Sequence, residues 1–215
     1  MSGNPLVVVG AGGFGREALD VVEAANSEGS RPKFELLGVV DTSPSSLNLS
    51  RLASRGVSYL GTVEEWLRSG VEFRYLIGVG NPAVRERLDR EFQTAGYSAA
   101  TVVHPAATVG SSVSFGPGSI VCAGVQISTN VAIGRHVHLN PNSTIGHDSV
   151  LHDFVSINPS ATISGDVVVG SRSLVGASAV VLQGLVLGAD ALVGASACVV
   201  NDVPSGETVK GIPAR

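Results

Sequence analysis

Charge is scarce in this chain. Only 15% of its 215 residues are Asp, Glu, Lys or Arg, against roughly 25% in an ordinary globular protein. Aromatic residues make up 5%, with a single Trp and a single Met. The net charge is −4, and there is no basic run or basic–aromatic patch, which argues against nucleic acid as a partner. No apolar run approaches the roughly 18 residues of a membrane span, so no membrane partner is expected. The start, MSGNPLVVVGAGG, lacks a cationic n-region and runs straight into a strand and a glycine loop. No signal peptide is therefore expected, and the setting is read as cytoplasmic. The two cysteines, Cys122 and Cys198, show no metal or redox spacing and read as reduced packing thiols.

What is abundant is glycine, at 27 residues, and its surroundings divide the chain. Residues 1–102 carry 10 Lys/Arg and 12 Asp/Glu, while residues 103–215 carry 4 and 6 but hold all five histidines. We place a domain boundary near residue 100, giving domains 1–100 and 101–215.

The second half repeats every six residues. From Val103, every sixth residue up to Val199 is large and apolar, through Phe115, Ile127, Ile145, Ile163 and Val181, with no slip in phase. At this composition a run of seventeen has a chance of about one in a million. Glycine often follows the aliphatic, as in Ile133-Gly134 and Ile145-Gly146. A period of six fits neither a helix nor an alternating strand. It suits short strands joined by turns, each sending one apolar side chain to a shared axis.

Stacked at 18 residues per coil, His147 lies over Thr129 and under Gly165. A glycine there leaves room beside the imidazole and an amide open to a ligand. Those are the needs of a general base facing a thioester with an oxyanion donor. The segment VGASA at 175–179 recurs at 193–197. The resulting ladder of Gly176, Ala177, Gly194 and Ala195 either forms a groove for an extended pantetheine arm or simply satisfies the turns. His104 reads as a cap or turn residue. The spacings of His136, His138 and His152 from His147 match no zinc pattern, so no metal is expected.

The first half opens with LVVVGAGGFGREALDVVEAA, a buried strand, a glycine loop and a helix. Gly10, Gly12 and Gly15 fit G-x-G-x-x-G, which permits a tight turn and phosphate approach at the helix N-terminus. A second strand, FELLGVVD, ends at Asp41, placed to grip a ribose. Thr62 to Glu65 form a capping box. The strand YLIGVG follows, and Asn81-Pro82 opens another helix. About 100 residues is a tight fit for a full dinucleotide domain, which argues against NAD.

Taken together, the hexads, the segment HLNPNSTIGHDSVLHDFVSINPSATISG and the ending VKGIPAR resemble the NeuD/PglD-type sugar O-/N-acyltransferase family of hexapeptide-repeat proteins. The resemblance implies an α/β Rossmann-like N-terminal domain followed by a left-handed parallel β-helix of about 5.7 coils. It implies a homotrimer, with which the low charge of the second half agrees. By resemblance, His147 is the general base, Asp148 orients it, and the Gly165 amide holds the oxyanion. The acyl-CoA contacts implied are Ser156, Gly165, Gly176, Ala177, Gly194, Ala195 and Lys210. The sugar-nucleotide contacts implied are Gly10, Gly12, Gly13, Phe14, Gly15, Asp41, Thr42, Gly80, Asn81 and Arg85. His138 and Asn140 lie a half-coil before His147 and are expected to line the acceptor pocket. The activity implied is acetyl-CoA-dependent N-acetylation of a nucleotide-activated amino sugar. Two other readings stay open, a sialic-acid-type sugar O-acetyltransferase and an NAD(P)-binding oxidoreductase or sensor with a β-helical oligomerisation domain.

Overall fold

The computed structural model describes residues 3–30 and 32–215. The chain divides into two compact units, one ending at Val102 and the other running Val103–Arg215. Each is described by itself.

The first unit alternates strands and helices. Strand β1 (Asn4–Val9) carries the apolar run LVVV and is flanked by β2 (Phe34–Val40) and β3 (Arg74–Ile77), with β4 (Ser98–Ala99) beyond. All pairings are parallel, in the order β2-β1-β3-β4. Leu6 to Val9 are buried, as expected of a central strand covered on both faces. The connecting helices are α1 (Gly13–Ser27), α2 (Ser46–Ser54), α3 (Val63–Leu67) and α4 (Pro82–Thr94). The capping box at Thr62 and Glu65 is formed. Asn81 caps α4 by accepting from the Val84 amide, with Pro82 at the first helical position. Beneath one face of the sheet, Phe73 stacks on Tyr97 with ring centroids 4.1 Å apart, and Tyr75 on Phe92 at 4.5 Å.

The second unit is a parallel solenoid of about six turns. Its strands are two residues long, from Val102–Val103 to Cys198–Val199, with a last one at Thr208–Val209. They line three parallel sheets of five, seven and six strands. Partners are 18 residues apart, as in Ala132↔Val150 and Thr144↔Thr162. Every aliphatic of the sixfold pattern is the second residue of its strand. From Val121 to Val199 all of them are buried, whereas Val109 at the open first coil is 41% exposed. Each buried aliphatic contributes about 1.5–3 kcal/mol. The phase slips by two at the end, where Leu192 pairs with Thr208.

Coils can approach so closely because of the glycines after the aliphatics. A methyl on Gly146 would lie 2.4 Å from the Ser164 carbonyl carbon and 2.5 Å from the Gly165 nitrogen. The corners have a second rule. Every sixth residue from Ser112 to Ser196 has positive φ, including Asn130, Asp148 and Asp166, with glycine at 118, 124 and 184. Asn, Asp and Gly tolerate this left-handed conformation best. Among the described residues, no helix is long and apolar enough to cross a membrane.

Candidate active site and nucleotide crevice

Both groups of candidate residues sit at backbone features that the fold forces. In the solenoid, His147 occupies a corner just before the left-handed Asp148. Its Nδ1 lies 2.6 Å from Asp148 Oδ2. The other carboxylate oxygen, Oδ1, accepts from the Asn130 amide at 2.6 Å, and Asn130 stands one coil earlier in the same corner column. These two hydrogen bonds, from Asn130 first and His147 second, hold the Asp148 carboxyl below its ordinary range. A carboxylate on Nδ1 fixes the tautomer with Nδ1 protonated, which leaves the Nε2 lone pair free to accept a proton. A methyl on Gly165 would lie 2.5 Å from that Nε2, so only glycine lets the ring sit there. The Gly165 amide makes no hydrogen bond among the described residues. The imidazole side chain is 55% exposed. The arrangement offers an oriented base, facing solvent, beside an open backbone donor.

The small-residue ladder also forms. Gly176 packs against the Gly194–Ala195 backbone, and Gly194 against Lys210, whose Cβ would lie 3.0 Å from an added methyl. Ala195 is exposed and Ala177 half-buried, while Gly176 is covered. The chain end folds back here, with Cys198 and Gly211 joined by hydrogen bond and Lys210 bonded to Arg215.

In the first unit the chemistry gathers at the C-terminal ends of β1, β2 and β3, where strand order reverses about β1 and α/β sheets bind ligands. Gly10 has φ +108°, and a methyl on Gly15 would lie 1.8 Å from the Gly10 carbonyl oxygen. The outer glycines of the motif are therefore structural. Gly12, Gly13 and Gly80 have open space where a side chain would be. Asp41 is fixed, its Oδ2 accepting from the Ala11 amide at 2.8 Å and its Oδ1 from the Ser43 amide at 2.9 Å. Arg16 braces the loop by donating to the Ala11 carbonyl and Asn48 Oδ1. A crevice of about 280 Å³ is bordered by Gly10, Asp41, Thr42, Val79 and Arg87. Phe14 lies half-buried on the first turn of α1. A larger cleft of about 620 Å³ opens at the other end of the sheet, among Asn4, Arg74 and Tyr97. It gathers none of the motif residues, of which Gly10, Asp41 and Thr42 border the smaller crevice.

Comparison with known proteins now decides the family. Residues 5–92 match the PglD N-terminal domain model. GDP-perosamine N-acetyltransferase of Escherichia coli O157:H7 is 31% identical over 149 residues, 69% of this chain and 64% of that protein. The matched part thus spans just under two thirds of that relative's length. Among solved structures, the acetyltransferase domain of PglB from Neisseria gonorrhoeae FA1090, in complex with acetyl coenzyme A, is 30% identical with TM-score 0.84, covering 100% of this chain and 99% of that one. PerB from Caulobacter crescentus, in complex with CoA and GDP-perosamine, is 29% identical with TM-score 0.86, covering 98% and 96%. The chain belongs to the NeuD/PglD family of sugar acyltransferases. Its solenoid is the left-handed β-helix of that family.

The structure buries four of the expected contact residues, Arg85, His138, Asn140 and Ser156, and engages a fifth, Asn81, in a helix cap. Arg85 is wholly buried and donates to the carbonyls of Val79 and Gly80. It braces the loop from behind instead of reaching a nucleotide, and burial pulls its guanidinium down to about 9. Asn81 spends its side-chain oxygen on the α4 cap. Asn140 is buried, its amide donating to the Ile157 carbonyl, so it ties coils together and does not line an open pocket. His138 and Ser156 are register partners and are 1% and 3% exposed, so neither presents an open surface on this chain. Asn130, Asp166 and Arg87 were missed. The 18-residue addition that placed Gly165 beside His147 places Asn130 and Asp166 either side of Asp148. Arg87 had no comparable signal.

The grouping that could hold a cation is not the histidine set weighed from spacing. Among the described residues it is His147, Asp148 and Asp166, with one ligand atom from each inside 4.8 Å.

Proposed function

We propose that the chain transfers an acetyl group from acetyl-CoA to the amino group of a nucleotide-linked amino sugar. The observation that carries this is the Asp148–His147 pair with Nε2 above Gly165. It is supported by relatives whose structures hold CoA with GDP-perosamine, or acetyl-CoA. The nucleotide phosphates would approach Gly12 and Gly13 at the α1 N-terminus, with Asp41, Thr42 and Arg87 around the crevice. The donor would lie along the ladder of Gly176, Ala177, Gly194, Ala195 and Lys210.

His147 Nε2 takes a proton from the acceptor nitrogen as that nitrogen attacks the thioester carbonyl. The N–C bond forms and the carbonyl oxygen becomes an oxyanion, held by the Gly165 amide. On collapse the C–S bond breaks, and the proton on His147 passes to the departing CoA sulfur. Asp148 holds the tautomer and favours the imidazolium while it carries the proton.

The active assembly is a homotrimer. Leu182, Val186, Leu192 and Ile212 are 42–79% exposed on the solenoid unit, an apolar surface suited to further copies of the chain.

A thermal-shift screen tests the reading. GDP-, UDP- and dTDP-amino sugars, free sialic acid and NAD(H) are each added with and without acetyl-CoA. Stabilisation by one amino-sugar nucleotide and by acetyl-CoA is expected, because ligands of the native state raise its apparent stability. Stabilisation by NAD(H) alone would overturn it.

A further inference from the structure

We propose that Asp166 is the carboxylate that recognises the acceptor's amino group in its ammonium form, biasing the site toward nitrogen over oxygen acceptors. This rests on the acyltransferase reading above. Asp166 follows Asn130 and Asp148 in the same left-handed corner column. Its backbone amide donates to the His147 carbonyl at 2.8 Å, so its position is tied to that of the base. A carboxylate oxygen lies within 4.8 Å of both a His147 ring nitrogen and an Asp148 oxygen.

The two carboxylates are not equivalent. Asp148 has one oxygen on His147 and the other on Asn130. The Asp166 carboxylate has neither hydrogen bond nor ion pair among the described residues. Among the described residues no arginine or lysine pairs with Asp148 or Asp166. With a neutral imidazole the corner therefore carries two negative charges.

An aliphatic amine reaches such a site protonated at neutral pH. Two carboxylates attract that cation and give a hydroxyl no comparable gain. The ammonium first loses one proton to water through the exposed His147 Nε2, which is left neutral to take the second as the resulting amine attacks. Attack on the thioester carbonyl makes that nitrogen cationic again, so the attraction to Asp166 returns in the transition state. The carboxylate thus favours the bound ground state and the transition state alike, which shows in KM and not in kcat.

The test uses the full chain with Asp166→Asn and Asp166→Glu. Probes are GDP-perosamine and the UDP- and dTDP-4-amino-4,6-dideoxyhexoses, each with its 4-hydroxy counterpart, plus acetyl-CoA. For the amine that the unaltered protein uses, Asp166→Asn should raise KM on the order of tenfold with kcat within about twofold. Binding of the 4-hydroxy counterpart should be unchanged, and Asp166→Glu should recover part of the loss. Equal losses on both nucleotides, or none on either, overturn the assignment and leave the acyltransferase reading standing. Loss of turnover on chelation, restored by a divalent metal, makes Asp166 a metal ligand and overturns it as well. If the unaltered protein acetylates no amino-sugar nucleotide, the reading falls and the assignment with it.

Discussion

The two units of this chain solve the packing problem in opposite ways. Eight of the ten aromatic residues precede position 103, and five of them, Trp66, Phe73, Tyr75, Phe92 and Tyr97, gather about one face of a four-stranded sheet. The solenoid has only Phe115 and Phe154 and fills its axis with one aliphatic per strand. The first core is a single cluster of large, shape-specific side chains. The second is a column in which each coil contacts only its neighbours. A globular core places a few loop residues accurately at one crevice. A column repeats a corner, so a functional group there needs only a local departure from the repeat, as proposed for His147 beside Asp148.

That contrast can be broken at several points. The largest effect is expected from His147→Ala, which should lower kcat/KM about 10³-fold while leaving the thermal midpoint and CoA binding unchanged. A shifted midpoint would make the histidine structural. Next comes Phe92→Ala in the first unit, at 0% exposure, with an expected cost of about 3–5 kcal/mol by denaturant titration. Ile163→Ala in the solenoid, also fully buried, should cost about 2–4 kcal/mol. Its loss of hydrogen-exchange protection should be confined to adjacent coils, whereas that of Phe92→Ala spreads through its unit. Asp148→Asn should lower kcat about 10- to 100-fold, because the tautomer of His147 is no longer imposed.

The smallest effect is that of Asn130→Ala. It removes the leading cause of the lowered Asp148 carboxyl. The favourable contribution of that carboxylate is complete above the unfolded value of about 3.9. It disappears as the pH falls through the lower, folded value. Without Asn130 the folded value should rise toward the ordinary one, narrowing that window, with kcat altered only a few-fold. Carboxyl titration by NMR reads the shift directly.

Much of this was legible in the chain. The sixfold aliphatic pattern fixed both the solenoid and the stacking of Gly165 on His147, because a repeat converts sequence distance into spatial distance. The strand, loop and caps of the first unit were readable from Gly10–Gly15, Thr62 and Asn81. Helix α2 was not, since SPSSLNLS looks like a turn until Ser45 caps it by accepting from the Asn48 amide. The left-handed corners were hidden because His136, Phe154 and Arg172 occupy them alongside Asn, Asp and Ser. The burial of Arg85, His138 and Ser156 was not readable either. Their residue types suggest exposure, and their coverage depends on packing that no local pattern reports.

The proposed acetyl transfer to an amino sugar rests on His147 above Gly165. The most direct measurement is mass spectrometry of amino-sugar nucleotides incubated with acetyl-CoA and either the unaltered protein or His147→Ala. One N-acetylated nucleotide sugar is expected, formed with release of CoA, and about 10³-fold less of it with the variant. Equal product from both proteins, or acetylation only on oxygen, would contradict it.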